Sequence, residues 1–189
     1  QPGKLPEKWE SVKVSDVGSI ETGYTPSKKI SEYYSDSYPF YKPTDLEAGN
    51  NVKNSSDSLS EEGIKIARYL PVDSILVTCI GATIGKTGII RKAGTCNQQI
   101  NAIIPKPDFV PNFIYYQVIS PGFQDSIRRS ASSTTLPILN KSKFMNLNLV
   151  ICPLNEQIEI VHAIESRLSI CDRLEETIHS CLNQTDFLK

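Results

Sequence analysis

The chain has 189 residues, of which 39% are apolar and 22% charged, and its formal net charge is −1; this is the composition of a globular protein and excludes a disordered or collagen-like chain. No run of about 18 apolar residues occurs, so the sequence predicts no membrane-spanning helix. The five cysteines form no C-x-x-C pair, which favours free thiols in a reducing compartment over a disulfide framework or a zinc site.

Charge is distributed unevenly along the chain. Residues 1–150 contain 17 Lys and Arg against 14 Asp and Glu, whereas residues 151–189 contain three against seven. Within residues 86–143 there are eight basic residues and only two acidic ones. This segment is consistent with a local basic face that binds a polyanion, and equally with an ordinary solvated surface.

Turn residues and hydrophobic periodicity predict short strands and helices over the first 152 residues. Strands are predicted at 38–42, 74–80, 87–91, 99–104 and 149–151. Helices are predicted at 60–66, 112–119, 121–129 and 141–146, and residues 47–58 are predicted to form a polar loop. Ser60 and Asn140 are candidate N-caps, and Pro111 and Pro121 are candidate first helical residues. The clustered strands indicate an α+β class with a mixed sheet.

A long helix is predicted after Pro153, because Asn155 can cap it and no Gly or Pro follows. We therefore expect a domain over 1–152 and a helix over 153–189 that is truncated at its C-terminal end. About 34 helical residues extend roughly 50 Å, farther than the domain could cover. Apolar residues at helical spacing form a stripe suited to pairing in an imperfect coiled coil. These are Val161, Ile164, Leu168, Cys171, Ile178 and Leu182. The alternative is a helix folded back on its own domain.

Motifs for catalysis are weak. The segment 81–87 (GATIGKT) resembles a phosphate-binding loop, but the glycine spacing is one residue short and a strand follows. We predict a Gly-rich hairpin whose tip, with Thr83 and Lys86, suits phosphate contact on a polymer; a plain turn is the alternative. Two E-x-x-H motifs share one helix and predict a solvated face rather than a metal site. By elimination the chain is predicted to be a binding protein rather than an enzyme.

Three polar segments are candidates for contact with a polyanion. They are an amide pair before a strand, an arginine pair followed by a hydroxyl-rich loop, and two lysines at a predicted helix start. Their residues are Asn97 and Gln98, then Arg128, Arg129, Thr134 and Thr135, and finally Lys141 and Lys143.

Short motifs in a specific order resemble one target recognition domain, with its long helix, of the specificity (S) subunit of type I restriction–modification enzymes. The segments that resemble the family are 5–9 (LPEKW), 22–27 (TGYTPS), 42–46 (KPTDL), 70–81, 85–87 (GKT), 97–101 (NQQIN), 134–142 (TTLPILNKS) and 152–157 (CPLNEQ). Positions 72–73 and Cys152 depart from the usual pattern. Residues 168–173 resemble the helix after the second recognition domain, so the resemblance favours the C-terminal half.

The resemblance implies a non-catalytic subunit in the cytoplasm of a bacterium or archaeon. In this family two recognition domains, each followed by a long helix, recognise the two halves of a split double-stranded DNA target, and the helices pair antiparallel. Modification (M) subunits supply chemistry with S-adenosylmethionine, and restriction (R) subunits use ATP and Mg²⁺, so no cofactor is expected on this chain. A half-subunit that dimerises is the competing form. A protein-interaction scaffold that acts through the coiled coil is the competing function.

The resemblance also divides the candidate residues by role. Positions within or directly after shared motifs are expected to contact phosphates or support the scaffold, because members with different targets share these motifs. These are Lys42, Lys86, Asn97, Gln98, Thr134, Thr135, Lys141 and Lys143. Base contacts are expected from segments without resemblance, at 28–38, 50–58 or 106–112, and we select Lys28, Lys29, Tyr33 and Tyr34.

Overall fold

The computed structural model describes residues 5–132 and 135–186. Nine strands and six α-helices occur within these residues, and the α+β class with a long C-terminal helix is confirmed. The strands are β1 (Glu10–Lys13), β2 (Gly18–Thr22), β3 (Tyr38–Tyr41), β4 (Asp57–Leu59), β5 (Ile75–Thr78), β6 (Thr87–Ile89), β7 (Thr95–Cys96), β8 (Ile100–Pro105) and β9 (Asn148–Ile151). The helices are α1 (Val14–Val17), α2 (Glu61–Ile66), α3 (Pro111–Ile119), α4 (Pro121–Ser130), α5 (Lys141–Met145) and α6 (Leu154–Asp186).

Three small sheets organise the domain. The largest is antiparallel with strand order β2-β8-β5-β6. A second has the order β4-β3-β7, with β3 and β7 parallel, and β1 pairs with β9. In the four-stranded sheet β2 and β5 end where β8 and β6 begin, since Thr22 pairs with Asn101 and Val77 with both Asn101 and Thr87. The connections of all four strands therefore lie together at one end of this sheet.

Both faces of the four-stranded sheet are buried. Ile75 and Val77 pack in the cluster that includes residues of α3, α4 and α5, whereas Leu76 packs in a second cluster with Tyr41 and Val52. Successive side chains of a strand point to opposite faces. Burial of both faces explains why the sequence from 74 to 80 is almost continuously apolar instead of alternating.

The prediction of a polar loop over 47–58 is wrong. A 3-10 helix occupies Pro43–Asn51 and β4 follows at Asp57–Leu59. Leu46 and Val52 are buried against the four-stranded sheet, so tertiary packing orders a segment whose local composition indicates a loop. Gly49 supplies the left-handed backbone conformation, with φ of 57°, that kinks this helix.

Helix α6 packs on the domain only through its first three turns. Val161 is 8% exposed and packs with Phe113 and Cys152, and Gln157 is 1% exposed. From residue 166 to residue 182 every side chain is exposed. The alternative of a helix folded back along its whole length is therefore wrong. Val161 must also be removed from the predicted pairing stripe, because its own domain buries it.

Candidate nucleic-acid interface

Loops from several elements meet at one end of the four-stranded sheet, where strands β2 and β5 terminate; we call this surface the rim. Its segments are 22–30, 42–47, 79–86, 97–99 and 135–141. Backbone hydrogen bonds join them: Tyr24 N–H donates to the Cys96 carbonyl at 3.0 Å, and Leu139 N–H donates to the Cys79 carbonyl at 2.8 Å. The rim is therefore one continuous surface.

Most of the predicted site residues lie at the rim or beside it, although they are far apart in sequence. These are Lys28, Lys29, Tyr33, Tyr34, Lys42, Lys86, Asn97, Gln98, Thr135 and Lys141. Thr134 lies outside the described residues. Segment 106–112, a candidate for base contacts, lies at the opposite end of the sheet beside α6, where Val110 N–H donates to Gln157 Oε1 at 3.0 Å.

Lys42 and Asp57 form an ion pair close to the side chain of Lys28. The hydrogen bond from Lys42 lowers the pKa of the Asp57 carboxyl, and the charge of Lys28 adds to this effect. Tyr34 lies in the same cluster, and its hydroxyl donates to the Pro26 carbonyl at 2.7 Å. Burial, followed by the charge of Asp57, raises the pKa of Tyr34, so this hydroxyl stays neutral.

The glycine-rich connection predicted at 81–87 is a hairpin between the antiparallel strands β5 and β6. Gly81 and Gly85 have φ of 102° and 90°, a region that only glycine adopts without strain. Lys86 leaves the hairpin towards the 3-10 helix and forms an ion pair with Glu47. This lysine therefore has a carboxylate partner, as Lys42 has in Asp57.

The two amide side chains at the rim are in different situations. Asn97 is 8% exposed; its Oδ1 accepts from Gln99 N–H at 3.1 Å and its Nδ2 donates to Gln99 Oε1 at 2.9 Å. These contacts use the amide to hold the turn before β8, which favours the scaffold role over a DNA contact. Gln98 is exposed, and its Oε1 accepts from the Thr25 hydroxyl, so its amide N–H groups face solvent.

The remaining predicted cations lie on a second surface. Lys143 Nζ donates to the Ser130 carbonyl at 3.1 Å, beside Arg129. Arg128 forms an exposed ion pair with Asp125 at 3.1 Å. Residues two positions apart on a helix point in directions about 200° apart, so Lys141 and Lys143 lie on different faces of α5. Asn140 Oδ1 already accepts from Lys143 N–H at 2.9 Å, which removes one amide from the predicted phosphate site.

Arg68 is a rim residue that sequence reasoning missed. Its Nη1 donates to the Thr22 carbonyl, and its Nε lies 3.6 Å from Glu21 Oε2. Lys141 Nζ approaches the same carboxylate at 3.9 Å. Arg68 lies between α2 and β5 and belongs to none of the motifs. The only sequence feature that could have drawn attention to it is that it is the first arginine of the chain.

Metal binding finds no support among the described residues, where no group of three His, Cys, Asp or Glu side chains could hold an ion. In the same part of the chain, no helix is both long and apolar enough to cross a membrane. Burial raises the pKa of Cys79 and of Cys96 to about 12. These two thiols are therefore protonated core groups rather than nucleophiles.

The chain is similar to known proteins over most of its length. Residues 6–184 match the family model described as the type I restriction modification DNA specificity domain. The chain is 35% identical over 149 residues to the HindI specificity subunit of Haemophilus influenzae, covering 77% of this chain and 32% of that protein. It is 29% identical over 151 residues to the MjaIX specificity subunit of Methanocaldococcus jannaschii, covering 78% and 35%.

Solved structures share the fold. The crystal structure of the HsdS subunit from Thermoanaerobacter tengcongensis matches with a TM-score of 0.71 and 17% identity, covering 93% of this chain and 41% of that one. A chain from a structure of a type I R-M system matches with a TM-score of 0.73 and 19% identity, covering 93% and 42%. The chain thus spans about a third of the length of the curated relatives named here and less than half of these structures.

Proposed function

Because the chain belongs to the family of type I restriction modification DNA specificity domains, we propose that it recognises one half of a bipartite double-stranded DNA target. In this proposal the chain directs a type I restriction–modification enzyme to its site and catalyses no reaction itself. The match over residues 6–184 carries the proposal. The rim supports it, because scattered cations and exposed polar groups converge there on one surface.

We assign the DNA contacts to the rim. Lys42, Lys86 and Lys141 would contact phosphates, whose negative charge can replace the carboxylates that now pair with these lysines. Lys28, Lys29, Tyr33 and Tyr34 remain our candidates for base contacts. Gln98 and Thr135 are exposed and can donate to phosphate or base, whereas Arg128, Arg129 and Lys143 would contact DNA only if it extends to the second surface.

We assign partner binding to the exposed part of α6. Ile164 is half-buried, whereas Leu168, Cys171, Ile178 and Leu182 are exposed. The chains with the same fold are more than twice as long as this one, which supports pairing with the other half of a specificity subunit; a second copy of this chain is the alternative. M subunits would supply the S-adenosylmethionine chemistry and R subunits the ATP- and Mg²⁺-dependent steps, in the cytoplasm of a bacterium or archaeon.

A protein-interaction scaffold without DNA binding is the second candidate. The observation that favours it is the exposed apolar stripe, with Leu168, Ile178 and Leu182 at 46%, 58% and 57% exposure. Large apolar side chains exposed together indicate an interaction surface. The two functions differ in whether the rim binds DNA, so the decisive measurement is made at the rim.

The salt dependence of DNA binding tests the proposed function. If Lys28 and Lys29 contact DNA, the double variant Lys28→Ala/Lys29→Ala should bind duplex DNA more weakly. Its slope of log K against log salt should fall in magnitude by up to about 2, because each positive charge removed from the DNA interface means about one fewer counterion released on binding. Binding is measured by fluorescence anisotropy between low and moderate salt.

The matched control is Lys92→Ala/Lys106→Ala, which removes two exposed lysines at the opposite end of the sheet. This variant should keep the wild-type slope. Equal slopes for all three proteins would remove Lys28 and Lys29 from the interface. Absence of any salt-dependent DNA binding by the wild-type chain at low salt would favour the scaffold.

A further inference from the structure

Arg68 is held at the rim by two contacts from one strand. Its Nη1 donates to the carbonyl of Thr22, and its Nε faces Glu21 Oε2 at 3.6 Å. Both partners belong to β2, which is paired along its length with β8. The side chain nevertheless keeps 53% of its surface exposed. The guanidinium is thus oriented before any ligand arrives, and binding costs little additional side-chain entropy.

The strand end that carries Arg68 is itself rigid. The Thr22 hydroxyl donates to Asn101 Oδ1 at 2.7 Å, across the β2–β8 pair. A Cβ atom on the next residue, Gly23, would lie 2.1 Å from the Asn97 carbonyl oxygen, so the backbone here is packed directly against the turn before β8. A rigid support of this kind fixes the position of the guanidinium relative to the rest of the rim.

The chemistry of the group suits a base better than a phosphate. The one described hydrogen bond uses a single Nη1 hydrogen, and the contact of Nε with Glu21 at 3.6 Å is an ion pair; a guanidinium has five hydrogens in a planar fork. The four remaining hydrogens include both on Nη2, so the guanidinium can still donate two parallel hydrogen bonds. The Glu21 carboxylate beside it repels the full negative charge of a phosphate more strongly than the partial negative charges of the acceptors on a base edge. Guanine presents two such acceptors, O6 and N7, in the major groove.

Lys141 completes the local arrangement. Its Nζ lies 3.9 Å from the same Glu21 oxygen, so the two cations share one carboxylate and the group keeps a net positive charge. Lys141 can turn towards a phosphate, because a lysine is a flexible point charge. Arg68 is also the only arginine at the rim within the described residues. It lies outside the motifs that members with different targets share, as a residue that determines specificity should.

We propose that Arg68 determines specificity by donating two hydrogen bonds to a guanine of the DNA half-site, with Glu21 as the positioning residue that orients its guanidinium. This inference rests on the proposed function and assigns part of the DNA specificity to one residue. It differs from our sequence-based choice of base-contacting residues, which lie at 28–38 and whose lysines lack the rigid planar fork of a guanidinium.

Selection from a randomised duplex pool tests the inference, with wild type, Arg68→Lys and Arg167→Lys compared at one low salt concentration. Arg68→Lys keeps the charge and can keep contact with Thr22 and Glu21, so the fold is preserved; circular dichroism verifies this. The wild-type chain should enrich guanine at one position of its motif. Arg68→Lys should reduce that preference by about 5- to 150-fold while preferences at other positions persist.

The salt slope separates base from phosphate contact, and Arg167→Lys is the matched control because Arg167 is exposed on α6, away from the rim. Arg68→Lys should leave the slope unchanged, and the control should match wild type in both measurements. A retained guanine preference in Arg68→Lys, or a uniform loss across sequences, would overturn the inference and leave the proposed function intact. A wild-type chain that binds without any preference would overturn the proposed function and the inference with it.

Discussion

The Lys42–Asp57 pair is the residue-level contact with the clearest pH signature. The hydrogen bond from Lys42 lowers the pKa of Asp57 below its ordinary value of 3.8 in the folded chain. The unfolded chain therefore binds the proton more readily, so the stabilisation is present above that value and is lost as the pH falls through the folded pKa. The side chains are 29% and 35% exposed, which limits the contribution to about 1 kcal/mol.

We expect Asp57→Asn to lower the free energy of unfolding at pH 7 by up to about 1 kcal/mol and to have a smaller effect at pH 3. Urea unfolding at both pH values measures this difference. Asp108→Asn, at an exposed position, is the control and should change neither value by more than a few tenths of a kcal/mol. An Asp57→Asn effect that is the same at both pH values would show that the pair adds no pH-dependent stability.

Sequence reasoning succeeded for residues whose partners are local. Ser60 was predicted as a cap and accepts from Gly63 N–H at 3.0 Å, three residues away. Arg68 was missed because its backbone partner, Thr22, is 46 residues distant and no periodicity connects them. Asn97 was assigned to a class of polar candidates, but only the structure shows its amide turned inward on Gln99.

Elements with strong patterns were also predictable. The apolar run at 74–80 contains β5, and Pro111 begins α3 as predicted. The ordered structure of segment 43–51 was not predictable. It depends on the burial of Leu46, and of Val52 just after the segment, in a hydrophobic cluster formed by remote strands. Convergence of five loops at the rim likewise depends on strand order, which the sequence did not specify.

The exposed part of α6 makes a prediction at the level of a single element. Cys171 lies in the predicted pairing stripe and is exposed in the isolated chain. We expect maleimide to label it rapidly at low protein concentration and several-fold more slowly where chains associate through this stripe. Cys79 and Cys96 should stay unlabelled until the protein unfolds, since burial raises the pKa of each to about 12.

Mass spectrometry of labelled peptides gives the rate for each cysteine, and sedimentation of the same samples gives the oligomeric state. Leu168→Asp places a charge in the stripe at a 46% exposed position and is the matched variant. It should restore rapid labelling of Cys171 at high concentration. A dimer in which Cys171 reacts as fast as in the monomer would place the contact elsewhere.

At the scale of the whole molecule, the two proposed binding surfaces lie at opposite ends of the domain. The rim lies where β2 and β5 end, and α6 is attached at the other end of the sheet, beyond the end of β8. Arg91 Nη2 donates to Asn112 Oδ1 at 2.7 Å, and Asn112 Nδ2 in turn donates to Glu165 Oε1. These bonds connect Arg91 through Asn112 of α3 to Glu165 of α6. They therefore attach α6 to the domain as far as residue 165. The proposed DNA contacts at the rim and the proposed partner contacts on α6 therefore would not compete for surface.

We therefore expect the boundary of the folded unit to lie inside α6 rather than at residue 152, and truncation can locate it. Removing residues after Glu165 deletes no buried side chain among those described, so this variant should unfold at the same urea concentration as the full chain. Removing residues after Pro153 deletes Gln157 and Val161, which are 1% and 8% exposed. Together their loss exposes Phe113 and leaves Val110 N–H without its acceptor, at a cost of about 3 kcal/mol or more.

Urea unfolding followed by circular dichroism distinguishes these outcomes, and the result decides which deletion can separate DNA recognition from scaffolding. A deletion from residue 155 would weaken the domain itself, so loss of DNA binding in that variant would be ambiguous. The variant ending at Glu165 keeps Gln157 and the Asn112–Glu165 contact while losing the exposed stripe. If that shorter chain unfolded as readily as the one ending at Pro153, the exposed half of α6 would have to stabilise the domain, and the two ends of the molecule would not be independent.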